Sequence, residues 1–421
     1  MKILIKQARI ADPTSPQNGA VTDIFIENGI IRGIGTGLES TADRVIDLNG
    51  AFVSPGWVDC FSYFADPGYE HKETLETGAA AATKGGFTDV LVLPNTNPCI
   101  HNKAGVEYIV QKSRALSVSI HPLGAVTRQT EGKELAEMYD MHASGAVAFT
   151  DGLHPIQSAG LLIKALQYVK SFNGLLIQIP DDRSVNPQGL MHEGIVSTRL
   201  GLPGKPALSE ELMVARDIKL ARYAESRLHF TGISSAKSLE YIRRARESGI
   251  DISCSVSPAH LFFIDEDIAG YDTNLKSNPP YRLEADRAAL RQALKEGLID
   301  CIASHHQPHE YDSKVVEFEY AKPGMIALET AFAVVNSSVP GLSADQWASL
   351  MSIRPRQLFG LPEVKIEPGS LANLSFFDPA AEIVVDNSFF RSKSRNSAFI
   401  GKKLKGRVLG TFTKGQLYYE S

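Results

Sequence analysis

The chain has 421 residues, of which 43% are hydrophobic, and its formal net charge at pH 7 is −5. This length suits one large domain with a smaller one beside it. The weak negative charge offers no basic surface for nucleic acid or an anionic membrane, and no apolar run is long enough to span a bilayer. We therefore expect a soluble globular protein without nucleic-acid or membrane partners.

Two further features predict a cytoplasmic protein. The first residues alternate like a β-strand and contain no signal-peptide core. The four cysteines, at positions 60, 99, 254 and 301, are scattered without a Cys-x-x-Cys pair. This spacing is typical of reduced thiols. Three of them, Cys60, Cys254 and Cys301, fall on predicted strands, where a small buried side chain is the expected role rather than a nucleophile.

The N-terminal segment reads as a series of short strands. Residues 1–7, 22–27, 30–34 and 44–47 alternate or run apolar, and Asn-Gly pairs divide them. The C-terminal end repeats this pattern at residues 371–377, 382–385, 407–413 and 416–419. Neither end can bury two sheet faces alone, so residues 1–51 and 365–421 are predicted to form one composite β-sandwich domain.

Between the two ends, the strand and helix signals alternate. Strands are predicted at residues 52–59, 89–93, 118–123, 146–149, 175–179, 227–231, 250–255 and 300–303, and the clearest helices at 158–172, 209–226, 236–248 and 284–297. An earlier helix begins near Lys72. Eight alternations over residues 52–364 predict a TIM-type (β/α)₈ barrel. A doubly wound sheet is the alternative, but no glycine-rich dinucleotide fingerprint follows the first strand.

The most informative stretch is residues 52–98. An apolar strand ends at Asp59, and a second ends at Pro94 and Asn95, with polar residues following each of them. Barrel enzymes place their chemistry at these carboxyl ends of the strands. Four segments of this stretch are distinctive: Val53-Ser-Pro-Gly-Trp-Val-Asp59, Asp66-Pro-Gly-Tyr-Glu-His-Lys-Glu-Thr74, Gly85-Gly-Phe-Thr88 and Pro94-Asn-Thr-Asn-Pro98.

These phrases resemble the dihydroorotase branch of the amidohydrolase superfamily. Further matching segments, such as residues 194–203, 271–280 and 392–396, extend the resemblance over nearly the whole chain. It implies a metal-dependent hydrolase of cyclic amides in pyrimidine biosynthesis. In that design zinc activates a water molecule and polarises the carbonyl group, and an aspartate moves the proton.

The positions where the resemblance implies zinc ligands carry other residues. Only Asp151 is retained, whereas the remaining ligand positions are occupied by Phe61, Tyr63, Gln178 and Gly232. The position of the catalytic aspartate is His305, and that of a substrate-gripping arginine is Ala65. Zinc needs several converging imidazole, thiolate or carboxylate ligands. The sequence therefore predicts loss of the zinc site and no resident cofactor, unless a zinc site has been rebuilt.

The resemblance also implies a set of substrate contacts that this chain keeps. They are Asn95, Asn278, His309, Pro323 and Gly324. Turn chemistry is the competing interpretation, since Asn and Gly-Pro pairs recur in loops for conformational reasons. The histidines at 305, 306 and 309, with Asp151, could likewise form a rebuilt metal site or a general base, or could be hydrogen-bonded pocket residues, which we favour.

Three functional hypotheses follow. The first is a dihydroorotase-like protein without activity, which serves as a structural or regulatory partner of aspartate carbamoyltransferase, as the resemblance implies, and forms a homodimer. The second is an active cyclic amidohydrolase, acting on dihydroorotate or a related ureide, with a rebuilt or absent metal site. The third is a sensor that binds a pyrimidine intermediate without turnover.

Overall fold

Most strands of the protein form either a sheet built from the two chain ends or a central barrel, and two short strands pair separately. A computed structural model describes residues 1–38 and 41–420. The strands are β1 (Lys2–Ile10), β2 (Val21–Glu27), β3 (Ile30–Gly35), β4 (Arg44–Asp47), β5 (Phe52–Pro55), β6 (Trp57–Ser62), β7 (Phe87–Val92), β8 (Ser119–Gly124), β9 (Ala148–Phe149), β10 (Leu176–Gln178), β11 (Met191–His192), β12 (Gly204–Lys205), β13 (Leu228–Phe230), β14 (Ile252–Val256), β15 (Cys301–Ile302), β16 (Leu374–Val384), β17 (Lys403–Thr413) and β18 (Gln416–Tyr419).

Eight parallel strands form the barrel. Their order is β6, β7, β8, β9, β10, β13, β14, β15, each paired with the next. A parallel bridge between Ser62 and His306 joins the last strand's loop back to the first strand and closes the ring. The predicted (β/α)₈ barrel is thus confirmed against the doubly wound alternative. Its interior is packed with apolar side chains such as Val58, Leu91 and Ile177.

The helices surround the barrel and follow the predicted alternation. They are α1 (Leu75–Lys84), α2 (Lys103–Lys112), α3 (Met138–Ala143), α4 (Ala159–Lys170), α5 (Ile195–Leu200), α6 (Leu208–Ala224), α7 (Ala236–Glu247), α8 (Pro258–Phe262), α9 (Glu284–Lys295), α10 (Ala331–Ser338), α11 (Ala344–Ala348) and α12 (Arg354–Phe359). Within residues 1–38 and 41–420, no helix is long and apolar enough to cross a membrane.

Two predicted boundaries in the opening stretch are wrong. The strand predicted over residues 52–59 is two strands, because Gly56 separates β5, which pairs with β1 and β16, from the barrel strand β6. The helix expected near Lys72 begins at Leu75, because the Thr74 side chain caps it by accepting the backbone N–H of Thr77.

The terminal sheet draws on both ends of the chain, as predicted, but its strands form one continuous mixed sheet. The order is β18, β17, β16, β5, β1, β2, β3, with β4 on β1. Its core mixes residues from the two ends, such as Ile5, Ile24, Leu374 and Phe412. Since β5 lies in this sheet, the strand reaches past the predicted boundary at residue 51. The division into residues 1–51 with 365–421 and 52–364 stays a prediction.

Two cysteines meet inside the barrel. The sulfur atoms of Cys60 on β6 and Cys301 on β15 lie 3.6 Å apart, and all four cysteines are buried and free. Burial raises the pKa of Cys60 and of Cys254 well above the usual thiol value. Both thiols therefore stay protonated at neutral pH, which agrees with the predicted packing role.

Candidate functional site at the barrel mouth

Two aromatic side chains fill the mouth at the end of the first barrel strand. Phe61 and Tyr63 are only 2% and 5% exposed. The ring of Phe61 lies 4.7 Å, centroid to centroid, from the imidazole of His305. Burial raises the pKa of Tyr63 above its usual value, so its phenol keeps its proton. Neither side chain offers the anionic or imidazole donor that zinc requires.

His305 leans over the position that a ligand side chain would need. A Cβ atom on Gly232 would lie 2.8 Å from His305 Cε1, and Gly232 has a φ of +71°. His305 Nε2 is 2.8 Å from the hydroxyl of Thr231. Burial lowers the pKa of His305 to about 3, so the imidazole is neutral at physiological pH. A side chain at position 232 would therefore collide with the ring of His305.

A chain of hydrogen bonds continues from His305 into the barrel. The Thr231 hydroxyl accepts from Ser255 at 2.9 Å, and the two nitrogens of His229 lie 2.9 Å from the hydroxyls of Ser255 and Ser253. Burial lowers the pKa of His229 to about 3. His229 is thus a satisfied core histidine with no nitrogen left over for a metal.

The retained carboxylate Asp151 is bound by Thr127, which lies in the loop after β8. Its two oxygens accept the backbone N–H of Thr127 at 2.8 Å and the Thr127 hydroxyl at 2.5 Å. Burial raises the pKa of Asp151 to about 6. A higher pKa lowers the fraction of the carboxyl group that is ionised, and the ionised form is the one that binds a metal ion.

Asn95 braces the loop that follows Asp151. Its Nδ2 donates to the Asp151 carbonyl at 3.0 Å, and its Oδ1 accepts from the backbone of Leu153 at 3.1 Å. A Cβ atom on Gly152 would lie 1.8 Å from Asn95 Oδ1. A side chain at position 152 would therefore require the amide of Asn95 to move.

Side chains at the end of β10 also have protein partners. Gln178 donates from Nε2 to the Ile156 carbonyl at 3.2 Å and accepts at Oε1 from the Ile156 amide at 3.3 Å. Nearby, Lys205 Nζ lies 2.9 Å from both carboxylate oxygens of Asp181 and 2.9 Å from Asn278 Oδ1. Asn278 is therefore held by a buried ion pair at the site's edge.

The remaining histidines of the last barrel loop point to separate partners. His306 Nδ1 accepts the backbone N–H of Ala327 at 3.1 Å, while its Nε2 lies 3.4 Å from Glu73. His309 Nε2 donates to the Pro323 carbonyl at 2.9 Å. Among the described residues, no three of these histidines and Asp151 are grouped so that they could hold one metal ion.

His309 keeps one open hydrogen-bonding position. Its Nδ1 is buried and has no partner among the residues that the structure describes. Burial lowers the pKa of His309 to about 4, so Nδ1 is a neutral acceptor when Nε2 carries the proton. Next to it, the Gly324 carbonyl accepts from Asn396 at 3.2 Å. A Cβ atom on Gly324 would lie 2.2 Å from Gln307 Oε1.

The donor set does not suit the zinc that the resemblance implies. Across residues 1–38 and 41–420, no group of three or more His, Cys, Asp or Glu side chains is placed to hold a metal ion. The nearest imidazoles and carboxylates at the mouth, those of His229, His305, His306 and Asp151, are already hydrogen-bonded within the protein.

Comparison with known proteins identifies the family. A model described as dihydro-orotase-like matches residues 50–238. A dihydroorotase of Pelotomaculum thermopropionicum is 40% identical over 99% of this chain and 98% of its own length. The chain belongs to the dihydroorotase-like family. A dihydroorotase of Syntrophus aciditrophicus is 38% identical over the full length of both chains.

Solved structures support the family's fold. An L-hydantoinase from Arthrobacter aurescens superposes with a TM-score of 0.84 over 99% of this chain and 96% of its own, at 23% identity. A dihydropyrimidinase from Brevibacillus agri gives a TM-score of 0.84 at 19% identity. At these identities the likeness establishes the fold alone, a barrel with a terminal β-domain.

Sequence reasoning missed several residues that shape this family member's mouth. Lys205 follows Gly204 in a short loop strand, and its ammonium group is buried against Asp181. Thr127 lies in no motif, although it binds Asp151. A lysine inside an otherwise apolar stretch was the one available signal for Lys205.

Proposed function

We propose that this member of the dihydroorotase-like family carries out no metal-dependent hydrolysis and acts as a structural partner of aspartate carbamoyltransferase in pyrimidine biosynthesis. One observation carries the first half of this proposal: the imidazoles of His305 and His306 and the carboxylate of Asp151 already have hydrogen-bond partners within the protein. Phe61 and Gly232 stand where the family places ligands, and His305 fills the space between them.

The same geometry speaks against the active alternative. A general base needs a pKa near the working pH and a free lone pair within reach of the substrate. Burial lowers the pKa of His305 to about 3, and its Nε2 is taken by Thr231. Burial raises the pKa of Asp151 to about 6, which is close to the working pH, but both of its oxygens are already hydrogen-bonded to Thr127.

The activity half is tested with the full chain, with and without added Zn²⁺. We expect less than about a tenth of an equivalent of zinc by elemental mass spectrometry. A structured zinc site binds tightly enough to retain close to one equivalent through purification. We also expect no hydrolysis of dihydroorotate above the buffer rate. Zinc near one equivalent, together with turnover that Asp151→Asn abolishes, would contradict the proposal.

The partner half rests on the family resemblance and on the intact scaffold. A structural role requires an intact barrel, terminal sheet and mouth loops, all of which this chain has, and does not require the family's ligand residues. Mixing it with the aspartate carbamoyltransferase of the same cell should give a shared peak in gel filtration with light scattering. Separate peaks at micromolar concentration would exclude this role. The same run reports whether the chain alone is the homodimer we propose.

A second candidate is binding of a pyrimidine intermediate without turnover, and the open acceptor of His309 favours it. Its Nδ1 is buried without a partner, as a ligand's N–H group would require. In a thermal-shift screen, dihydroorotate, orotate or carbamoyl aspartate should raise the melting temperature of the wild type but not of His309→Phe. If none of these compounds shifts the melting temperature, ligand binding is excluded as a function and only the structural role remains.

A further inference from the structure

Two loops at the mouth end of the barrel present large side chains to solvent. They follow β14 and β15, the last two barrel strands. Tyr271 on the first loop and Tyr311, Val315, Val316 and Tyr320 on the second are all exposed, Tyr311 and Tyr320 by 74% and 72%. Single apolar residues are common on protein surfaces, whereas several within one short segment mark an interaction site. These five residues are called the tyrosine patch below.

The two loops that carry the tyrosine patch are joined to each other. The Thr273 hydroxyl on the first loop donates to the Lys314 carbonyl on the second at 2.6 Å. The ring of Tyr271 lies 6.5 Å, centroid to centroid, from that of the buried Phe318. The exposed side chains of both loops therefore belong to one surface.

The lysines of these loops point inward. Lys276 and Lys314 are each only 6% exposed. Lys276 Nζ donates to the Phe318 carbonyl at 2.8 Å, and Lys314 Nζ donates to the Lys322 carbonyl at 2.7 Å. Lysines are normally exposed and valines buried, so the usual arrangement is reversed here. The two ammonium groups hold the loop backbone in place while apolar side chains face the solvent.

The charged groups around the tyrosine patch are almost all carboxylates. Residues 265–275 and 310–322 are described throughout, and their exposed charged residues are Glu266, Asp267, Asp272, Asp312, Glu317, Glu319 and Lys322. Asp312, Glu317 and Glu319 form no ion pair with any residue that the structure describes. A partner with positive charges would therefore find these carboxylates open to it.

Tyrosine rings beside carboxylates suit arginine. A guanidinium group stacks on an aromatic face and also donates two parallel hydrogen bonds to a carboxylate, whereas a lysine ammonium group is a point charge. Tyr311 and Asp312 are neighbours in sequence, as are Glu319 and Tyr320. Each pair offers both kinds of contact side by side. Tyrosine and arginine are also the residues that contribute most to binding at protein interfaces.

We propose that the tyrosine patch binds a protein segment that is rich in arginine and carries apolar side chains between the arginines. The guanidinium groups contact the tyrosine rings and the carboxylates, and the apolar side chains cover Val315 and Val316. This inference does not depend on the function proposed above, since it uses none of the residues at the family's ligand positions.

The test uses three labelled peptides of equal length, titrated with the full chain at physiological ionic strength and followed by fluorescence anisotropy. The first alternates arginine with leucine, the second has lysine in place of arginine, and the third has glutamate. We expect saturable binding of the arginine peptide and binding of the lysine peptide that is weaker by about threefold or more, because the ammonium group stacks less well on tyrosine. The glutamate peptide should not bind.

A double substitution tests the aromatic rings. Tyr311→Ser with Tyr320→Ser should weaken binding of the arginine peptide by about tenfold or more. Tyr223 on α6 is 72% exposed, so Tyr223→Ser is a matched control that should leave the affinity unchanged. All three tyrosines lie at the surface, and circular dichroism should show the same fold in each variant.

A second double substitution tests the charges. Asp312→Asn with Glu317→Gln should weaken binding by about threefold or more and reduce its dependence on salt. Glu363→Gln with Glu382→Gln removes the same net charge elsewhere on the chain, where both carboxylates already have lysine partners. This control should change the affinity much less.

Four results would overturn the proposal. The first is no saturable binding of the arginine peptide, and the second is binding of the lysine or glutamate peptide with the same affinity. The third is unchanged affinity in the Tyr311→Ser, Tyr320→Ser variant. The fourth is a homodimer of the wild type that becomes monomeric in that variant by light scattering, which would assign the tyrosine patch to a second copy of the chain.

Discussion

At the scale of single residues, the mouth is shaped by compensating volumes. Gly232 leaves the space that the His305 ring enters, and Phe61 packs against the other side of that ring. Close-packed interiors transmit such changes, since a volume lost at one position must be filled from another. A single substitution that introduces a metal ligand at one of these positions would therefore clash with the neighbouring side chains.

Gly232→Ala should expose this packing. The backbone there has a φ of +71°, and the new Cβ atom would sit 2.8 Å from His305 Cε1. Gly201 has a similar φ of +68° with nothing near its Cβ position, so Gly201→Ala is the matched control. We expect both to lose about 1–2 kcal/mol from the left-handed backbone, with a further loss of about 1–3 kcal/mol for Gly232→Ala alone. Urea denaturation measures both, and equal losses would contradict the packing argument.

The buried pair of Lys205 and Asp181 gives a second prediction. Lys205→Met leaves the carboxylate buried without its partner and should lower the free energy of unfolding by about 3–5 kcal/mol. Removing the charge as well, in Lys205→Met with Asp181→Asn, should recover part of that loss.

An exposed pair provides the control for this experiment. Lys170 and Glu225 are 2.8 Å apart with side chains 48% and 80% exposed. Lys170→Met should cost no more than about 1 kcal/mol. If the Lys205 and Lys170 substitutions lowered the free energy of unfolding equally in guanidinium titrations, the buried ion pair would stabilise the protein no more than the exposed one.

At the scale of elements, residues 391–396 form a strap that ties the first and last barrel loops together. Lys393 Nζ donates to the Glu70 carbonyl at 2.7 Å, and Ser394 Oγ donates to the Lys72 carbonyl at 2.8 Å. On the other side, Asn396 Nδ2 donates to the Gln307 carbonyl at 3.0 Å. The strap thus fixes the loops after the first and eighth barrel strands relative to each other.

Removing the strap's amide group should loosen the mouth locally. In Asn396→Ala we expect a loss of about 1–3 kcal/mol, because the backbone N–H of His309 loses the acceptor at 3.1 Å. Hydrogen exchange should speed up at residues 306–309 and 323–326. Ser388→Ala, whose hydroxyl bonds only to Asp386 locally, should leave those segments unchanged. Exchange spread evenly over the barrel would contradict a local role.

The elements themselves were largely predictable, whereas the contacts of the mouth were not. All eight barrel strands and the four clearest helices follow from periodicity, which is a local property. The break at Gly56 was missed because a continuous apolar run hides a change of sheet. The bonds of Lys205 and Thr127 join residues far apart in sequence, and no local pattern encodes them. The motif positions did identify Phe61, Gly232 and His305 as neighbours of one site.

At the scale of the whole molecule, buried neutral histidines should make the protein sensitive to acid. Burial lowers their pKa values to about 3 or 4, for His192, His229, His260, His305 and His309. An unfolded histidine titrates near a pKa of about 6.5, so only the unfolded state takes up these protons between pH 6.5 and 4. Stability should therefore fall as the pH drops through this window. Asp151 and Asp217, with pKa values raised to about 6 by burial, oppose the trend in part.

Urea unfolding at pH 7.5 and pH 5.0 checks the sign and size of this effect. We expect a loss on the order of several kcal/mol at the lower pH. Substituting the exposed His71 by Gln should leave the loss unchanged, whereas His260→Gln should reduce it. Stability that is flat or higher at pH 5.0 would show that the carboxyl groups outweigh the histidines.

The pairing of β5 with β16 limits when the terminal sheet can form during synthesis of the chain. Val53 lies opposite Phe376, so a strand that leaves the ribosome early waits for its neighbour until most of the chain has been translated. During that interval β5 presents an open edge to other nascent chains, and sequence-distant pairings of this kind close slowly. We therefore expect the yield of native protein in a cell to depend on translation speed and on chaperone supply.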